Sequence, residues 1–328
     1  MELEQTGTLR GRKRKIWEDF LRRADLEADD HIQRTVLIWD NGQLIATGSR
    51  QGNLLKCIAV DEDRQGEGIT ASLITTLRQD AFEAGYQHLF LYTKPRNEFM
   101  FSSLFFYPIA KSDQVLLMES RRDGIRSFVE SLPRQKSQGK IGAAVMHCNP
   151  FTLGHRYLVE SAARECDWLY VFVLSESGAM FSPEERMAMV KAGTADLSNV
   201  TVLPTGPYLI SSATFPTYFL KDKEHLPRIQ CQLDISVFTR YFAPGLGITH
   251  RFVGTEPFSA STAMYNRELM KLLPSAGIEV REVPRLEKGS TAVSASAVRG
   301  LLAEGKGEEA AMLLPETTVR VLKEKGLL

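Results

Sequence analysis

The sequence predicts a two-domain α/β protein in which a small α+β domain precedes a doubly wound sheet of parallel strands. In the first part of the chain, a hairpin pattern is followed by a strand, a glycine-containing loop and a helix. Beyond it, buried strands alternate with helical stretches, which is typical of parallel strands joined by crossover helices. A polar stretch with Pro133 and Gly139 separates the two patterns. We therefore expect domains at 1–130 and 140–328, joined by a linker at 131–139.

The composition agrees with two soluble domains and disfavours several classes of partner. The chain has 328 residues, 43% of them hydrophobic, which exceeds what one core usually organises. Its 40 Lys and Arg residues balance 40 Asp and Glu residues, so no overall field attracts a polyanion or a membrane surface. We therefore expect neither nucleic acid nor a membrane as a partner.

The cysteines and the N-terminal residues indicate a cytoplasmic protein. The four cysteines lie far apart without a CxxC pair, which argues against a disulfide framework and a structural zinc site. The first residues lack the apolar core of a signal peptide, and the apolar run 169–174 is too short to span a bilayer. We therefore expect a reducing, cytoplasmic location and no protein-built metal site.

The first domain opens with a hairpin. Asn41 and Gly42 form a two-residue turn between two β-favouring runs within residues 35–46. Leu54–Val60 has the composition of a strand and leads into a polar loop that contains glycines. The remaining predicted elements are a helix with apolar residues at Ile69, Leu73, Leu77 and Ala81, and strands at 88–93 and 114–119.

The second domain alternates strands and helices as a Rossmann-like sheet requires. In such sheets, ligands bind at the carboxyl ends of the strands, so the functional site is expected at that edge. The predicted strands are 141–146, 168–174, 200–203, 249–253 and 278–283, with one helix from Gly154 and another at 183–195.

A first phosphate-binding motif follows the first strand of this domain, at residues 149–155. Gly154 and His155 open a helix whose unpaired backbone N–H groups and dipole favour an anion. Gly154 permits close approach, and His155 can donate to a phosphoryl oxygen. The alternative is an ordinary Asn-Pro turn followed by an ordinary helix start. The position directly after the first strand favours the phosphate site.

A second motif lies near the C-terminus, where Ser294 and Ser296 precede or open an amphipathic helix that carries Arg299. Hydroxyl groups, helix N–H groups and a guanidinium together suit a triphosphate, because charge-assisted hydrogen bonds to phosphate are strong. The alternative is a serine N-cap beside a solvated arginine. Two phosphate-type helix starts in one domain favour nucleotide binding.

These motifs resemble known families. Residues 149–155 resemble the His/Thr-x-Gly-His signature of HIGH-type nucleotidyltransferases, and 294–299 resemble the second phosphate-binding motif of that superfamily. A more specific resemblance is to the citrate lyase ligase family, carried by residues 148–158, 213–219 and 253–258. It covers 140–328 well.

The resemblance implies an AMP-forming ligase that uses ATP, together with Mg²⁺, to activate acetate as acetyl-adenylate. It then acetylates the prosthetic-group thiol, derived from dephospho-CoA, on the acyl carrier subunit of citrate lyase. The roles that it implies are catalysis by Thr152 and His155, and nucleotide or phosphate binding by Asn149, Gly154, Gly254, Thr255, Glu256, Ser294, Ser296 and Arg299.

Two further residues near this site are weighed separately. Arg186 follows Pro183, which suits the first turn of a helix, so its guanidinium could bind the nucleotide in the same crevice. An ordinary surface arginine is the equal alternative. His147 departs from the small polar residue expected in the family, and we assign it no role.

The first domain contains a loop that resembles the pyrophosphate loop of GNAT acetyltransferases. Gln65, Gly66 and Gly68 lie between a strand and a helix, where backbone amides can cradle a pyrophosphate. Thr70 departs from the small residue of that family, and a tight strand-helix turn is the alternative. We therefore expect a GNAT-like fold, with the hypothesis that the loop docks the dephospho-CoA-like arm of the carrier.

Two other functions remain open from the sequence. One is an adenylyltransferase that joins ATP to a phosphate-bearing cofactor precursor, which the first motif fits equally well. The other is a GNAT acetyltransferase with a regulatory nucleotide-binding module, which would use acetyl-CoA and form no AMP. Formation of AMP from ATP with acetate, but without acetyl-CoA, discriminates among the three.

Overall fold

The computed structural model describes residues 1–136, 139–176, 178–209, 215–220, 226–256, 259–288 and 291–328. The chain divides into two compact units. Unit 1 comprises Met1–Gly124 and Pro216–Ile229, and unit 2 comprises Ile125–Phe215 and Gln230–Leu328. Parts of the sequence motifs lie outside the described residues, namely Ser137 and Gln138 of the linker, Ala213 and Thr214, Pro257 and Phe258, and Ser290.

Unit 1 is built on a seven-stranded sheet in the order β1-β2-β3-β4-β5-β7-β6. Its strands are β1 (Glu2–Thr6), β2 (Arg34–Asp40), β3 (Gln43–Gln51), β4 (Leu54–Val60), β5 (Phe90–Thr93), β6 (Tyr107–Lys111) and β7 (Leu116–Glu119), and its helices are α1 (Gly11–Arg23), α2 (Ile69–Glu83) and α3 (Glu98–Ser103).

The predicted hairpin of unit 1 is confirmed. Asn41 and Gly42 take φ values of 48° and 78°, and the flanking strands β2 and β3 pair antiparallel. Positive φ at both turn residues matches the twist of a two-residue hairpin, which explains the Asn-Gly sequence. The apolar stripe predicted for α2 is also confirmed, since Leu73 and Leu77 are fully buried in the core of the unit.

Unit 2 is built on a five-stranded, all-parallel sheet in the order β10-β9-β8-β11-β12. The strand order reverses at β8, the first strand of this unit in the sequence. This reversal confirms the predicted doubly wound topology. The strands are β8 (Ile141–Met146), β9 (Trp168–Val173), β10 (Val200–Pro204), β11 (His250–Gly254) and β12 (Glu279–Val283), followed by the short pair β13 (Glu287–Lys288) and β14 (Thr291–Ala292).

Helices cover this sheet. The fully buried residues Phe151, Val159 and Met189 pack in the core of the unit with the strands. The helices are α4 (Gly124–Ser131), α5 (Leu153–Glu165), α6 (Pro183–Gly193), α7 (Leu226–Val237), α8 (Ala243–Leu246), α9 (Ala260–Leu272), α10 (Ala295–Ala303), α11 (Gly307–Ala311) and α12 (Glu316–Glu324), with a π-helical turn at Phe238–Phe242.

The division into units differs from the boundary expected at the polar linker. α4 lies before that linker in the sequence, yet it packs in unit 2. The centroid of its Phe128 ring lies 5.3 Å from that of Tyr208 and 6.2 Å from that of Phe242. Pro216–Ile229 follows β10 in the sequence, yet groups with unit 1. Composition locates a polar stretch, but non-local packing decides which core each neighbouring segment joins.

Within the part of the chain that the structure describes, no helix combines the length and the apolar content needed to cross a membrane.

Candidate active site

The first motif forms a loop from β8 into α5, and its geometry fixes the imidazole of His155. Thr152 is the N-cap of α5, and its Oγ1 accepts a hydrogen bond from the backbone N of His155 at 3.3 Å. In return, the backbone N of Thr152 donates to Nδ1 of His155 at 3.1 Å. Because Nδ1 accepts this hydrogen bond, it carries no proton. The single proton of the neutral ring therefore lies on Nε2. His155 can therefore donate from Nε2.

The imidazole of His155 is held in its neutral form. Burial lowers its pKa to about 4, and the positive charge of Arg285, with that of His147 when protonated, acts in the same direction. Its ring stacks on the fully buried ring of Phe151, with 5.9 Å between the centroids. The result is an uncharged, oriented hydrogen-bond donor at the start of a helix.

The second motif docks directly on the first. Ser294 is the N-cap of α10, and its Oγ accepts from the backbone N of Ala297 at 3.1 Å. The carbonyl oxygen of the preceding Val293 lies 2.4 Å from the position that a Cβ on Gly154 would occupy. A protein carbonyl therefore requires glycine at position 154, and the close approach of a phosphate to Gly154 stays a prediction. The two helix starts are neighbours.

Arg299 and Asn149 join the two motifs. Arg299 Nη1 donates to the backbone carbonyl of Asn149 at 2.6 Å. The buried side chain of Asn149 accepts a hydrogen bond from the backbone N of Phe181 at 3.1 Å. This bond connects the loop after β8 to the segment that precedes α6. Ser296 lies exposed in the first turn of α10. The guanidinium of Arg299 therefore lies beside the loop that carries Thr152.

Arg186 lies beneath the site. Its side chain is fully buried, and it donates to the backbone carbonyls of His147 at 3.1 Å and of Glu176. This placement ties the loop after β8 to the loop after β9, and the buried side chain shows that the surface-arginine alternative is wrong. A nucleotide contact by Arg186 stays a prediction. His147 lies 3.4 Å from the Glu176 carboxylate, and burial lowers the pKa of its imidazole.

The loop after β11 contacts Arg285, a residue that the sequence analysis did not include in the site. Glu256 pairs with Arg285 at 2.8 Å, and Thr255 Oγ1 accepts from the backbone N of Arg285 at 3.0 Å. The carbonyl of Gly254 accepts from Asn266 at 2.9 Å. Arg285 follows the last strand of the sheet, so applying the strand-end rule to β12 would have identified it.

The assembled site lies at the carboxyl ends of β8, β11 and β12, where α5 and α10 begin. It offers a neutral imidazole, two guanidinium groups and two helix N-termini, a combination that suits the phosphates of a nucleotide. Among the described residues, no cluster of three His, Cys, Asp or Glu side chains could hold a metal ion.

The glycine loop of unit 1 lines a separate cavity of about 530 Å³. Gly66 and Gly68 take φ values of 91° and 77°, and Gly68 is the N-cap of α2. Gln65 also lines the cavity. The strand-loop-helix arrangement predicted from the sequence is therefore present, with the loop opening onto a cleft.

Comparison with protein families identifies both halves of the chain. The family described as "Citrate lyase ligase C-terminal domain" matches residues 141–322. The family described as "Acetyltransferase (GNAT) family" matches residues 5–100. These matches fall on the parallel sheet of unit 2 and on the sheet of unit 1.

Individual relatives match almost the whole chain. A citrate (pro-3S)-lyase ligase of Klebsiella pneumoniae is 41% identical over 318 residues, which cover 95% of this chain and 93% of the relative. The protein of that name from Escherichia coli (strain K12) is 38% identical, covering 97% and 93%. A phosphopantetheine adenylyltransferase of Staphylococcus carnosus is 39% identical over only 56 residues, or 16% of this chain and 35% of that protein.

Proposed function

Because this chain belongs to the citrate lyase ligase family, we propose that it activates acetate with ATP and acetylates the prosthetic-group thiol of citrate lyase's acyl carrier subunit. The observation that carries this proposal is the meeting of two helix starts at His155 and Arg299, on the carboxyl edge of the sheet in unit 2. Such a site binds and polarises phosphates without any protein nucleophile.

In the first half-reaction, an acetate oxygen attacks the α-phosphorus of ATP and the bond to the bridging oxygen of pyrophosphate breaks. Acetyl-adenylate and pyrophosphate form. The Nε2–H of His155 donates to a phosphoryl oxygen as negative charge moves onto the leaving group, and Arg299 compensates the charge of the β- and γ-phosphates. The neutral state of His155 keeps that proton in place throughout the physiological pH range.

The remaining residues bind and orient the nucleotide. Thr152 fixes the imidazole, while Ser294 and Ser296 present hydroxyl groups at the start of α10. Gly254 to Glu256 lie near the nucleoside, and Mg²⁺ enters with ATP as part of the substrate. Arg285, held by Glu256, adds a second cation to this edge.

In the second half-reaction, the carrier thiol attacks the acetyl carbonyl, releases its proton to solvent and expels AMP. A thioester forms. In this proposal the glycine loop of unit 1, with Gln65, Gly66 and Gly68, holds the pyrophosphate of the dephospho-CoA-like arm. The reaction would take place in the cytoplasm, in agreement with four cysteines that are all free and buried.

Exchange of labelled pyrophosphate into ATP tests this proposal. Exchange should depend on acetate and proceed without any carrier protein, because adenylate formation precedes thiol attack. An enzyme that exchanges only with a phosphate-bearing precursor would instead be an adenylyltransferase. An enzyme that consumes acetyl-CoA and forms no AMP would be a GNAT acetyltransferase.

A further inference from the structure

A histidine and a glutamate form a pair at the edge of the site that carries His155 and Arg299. His147 is the first residue after β8, and Glu176 lies in the loop after β9, so both stand at the carboxyl ends of adjacent strands. Nε2 of His147 lies 3.4 Å from Oε1 of Glu176. Adenylation, as proposed, uses neither side chain.

The backbone around this pair is held by one buried cation. Arg186 donates to the backbone carbonyl oxygen of His147 at 3.1 Å and also to that of Glu176. The guanidinium is fully buried, and it joins the two loops. The spacing between the imidazole and the carboxylate is therefore set by the fold and does not require a ligand.

The two nitrogens of the His147 ring differ in exposure. Nε2 is buried beside the carboxylate and makes no hydrogen bond within the described part of the chain. The side chain as a whole is 40% exposed, so the exposed edge of the ring carries Nδ1. A carboxylate beside Nε2 favours the tautomer with its proton there, and such contacts tighten once substrates bind. The lone pair of Nδ1 is then available to accept a proton.

The groups around His147 keep its imidazole neutral at pH 7. Burial lowers its pKa, the Glu176 carboxylate raises it, and the positive charges of Arg186 and Arg299 lower it. The neighbouring His155 is uncharged and adds no further repulsion. A neutral imidazole can take up a proton, and the carboxylate then stabilises the imidazolium that forms. The two guanidinium groups favour release of that proton afterwards.

We propose that His147 is the general base of the second half-reaction and that Glu176 is its positioning residue. As the thiol sulfur attacks the acetyl carbonyl carbon, the S–H bond breaks and the proton binds Nδ1 of His147. The C–S bond of the thioester forms, the C–O bond to AMP breaks, and AMP leaves as the phosphate anion. The imidazolium then passes the proton to solvent. This inference rests on the proposed function, because that reaction supplies the thiol and the acetyl-adenylate.

The chemistry of the thiol explains why a base is useful at neutral pH. A free thiol has a pKa of about 8.5, so only about 3% of it is thiolate at pH 7. An imidazole that removes the proton during the attack makes the remaining thiol reactive as well, an increase of up to about thirtyfold. This advantage disappears as the pH approaches about 9, because the thiol then ionises without help.

Single-turnover measurements with the full chain test this assignment. The enzyme is first incubated with labelled acetate and ATP, and is then mixed rapidly with the deacetylated acyl carrier subunit of citrate lyase. His147→Gln should transfer acetyl about thirtyfold more slowly than the unaltered protein at about pH 7, but within about threefold of it at about pH 9. Its acetate-dependent pyrophosphate exchange should fall by less than about threefold, because no thiol takes part in that step.

Two further variants separate catalysis from structure. His250 forms a comparable pair with Glu279, with Nε2 3.1 Å from Oε2, at the amino ends of β11 and β12. His250→Gln should therefore leave both half-reactions unchanged. Transfer by the unaltered protein should decline as the pH falls below the pKa of His147 and the base becomes protonated. Glu176→Gln removes the charge that raises this pKa, so the decline should occur at lower pH.

Three results would overturn the inference. They are an undiminished transfer rate in folded His147→Gln at neutral pH, a deficit of the same size at neutral and at alkaline pH, or a loss of exchange as large as the loss of transfer. Should His147→Gln fail to fold, the same pattern is expected of the smaller variant His147→Asn. An unaltered protein without acetate-dependent exchange would contradict the proposed function itself, whereas exchange together with any of the three results removes only the role of His147.

Discussion

The imidazole of His155 is positioned by contacts that span three residues. Thr152 accepts from the backbone of His155 and donates its own N–H to the ring, so the helix cap and the proposed catalytic donor are one structure. The same reciprocal bonds that start α5 also select the tautomer with its proton on Nε2. The hydrogen bonds that cap α5 therefore also orient the imidazole of His155 for its proposed role.

Replacing His155 by Ala should lower acetate-dependent pyrophosphate exchange by roughly a hundredfold or more, the effect of losing one preorganised transition-state donor. The fold should survive, because Thr152 Oγ1 still caps the backbone of α5. Circular dichroism would verify folding, and His31→Ala, at an exposed residue of unit 1, is the matched control. Near-normal exchange in folded His155→Ala would remove the imidazole from the reaction.

The lowered pKa of His155 predicts a dependence of stability on pH. Its pKa falls from the ordinary 6.5 to about 4 in the folded state, so the unfolded chain takes up this proton first as the pH falls. The stability that the neutral ring contributes is complete above pH 6.5 and is lost as the pH falls toward 4. The free energy of unfolding should therefore decline more steeply over this range in the unaltered protein than in His155→Gln. Urea titrations at several pH values measure this difference, and identical slopes would contradict it.

At the scale of elements, the site depends on the packing of two helix starts against each other. A methyl group on Gly154 would meet the backbone oxygen of Val293, which cannot rotate away as a side chain would. Gly154→Ala should therefore separate α5 from the loop before α10. We expect a loss of about 1–3 kcal/mol in the free energy of unfolding and at least tenfold weaker ATP binding.

Gly300 supplies the matched control for this prediction. It lies within α10, and a Cβ there would meet no atom within 4 Å. Gly300→Ala should leave ATP binding unchanged and stabilise the protein by about 0.5–1 kcal/mol, because alanine is the better helix residue. Calorimetry and thermal unfolding of both variants would decide. Equal behaviour of the two would show that the contact with Val293 does not organise the site.

At the scale of the whole molecule, the structure changes where the chain should be divided. The linker at 131–139 stays a prediction of an exposed connection, but α4 precedes it and buries Ile125 and Val129 in unit 2. A fragment that begins at Lys140 lacks this helix. A fragment that begins at Arg122 retains it and should be more stable by about 2–5 kcal/mol, the value of burying two or three apolar side chains. Thermal unfolding of both fragments measures the difference.

The longer fragment also separates the two half-reactions. It should support acetate-dependent pyrophosphate exchange, since every residue assigned to adenylation lies in unit 2. It should transfer acetyl to the carrier thiol poorly, because the local concentration of thiol provided by unit 1 is lost. Loss of exchange in a folded fragment would show that the first part of the chain completes the adenylation site, and full transfer would leave unit 1 without a role.

The sequence by itself determined the elements and the two helix starts. The Asn-Gly hairpin, the strands of the parallel sheet and the helix starts near Gly154 and Ser294 are all present. These features depend on residues within a few positions of one another. Periodicity, turn residues and capping residues report such local interactions directly.

Only the tertiary structure decided which of these pieces meet. The hydrogen bond from Arg299 to Asn149 joins residues 150 positions apart. The buried Arg186 supports two loops, and Arg285, which follows the last strand of the parallel sheet, pairs with Glu256 at the site. Tyr218 follows strand β10 of unit 2 in the sequence, yet it belongs to unit 1, where its hydroxyl donates to the backbone carbonyl of Tyr92. A local pattern specifies that a segment is helical or buried, but not its partner, because the free energy of long-range packing depends on the shape and the unsatisfied polar groups of surfaces that exist only after folding.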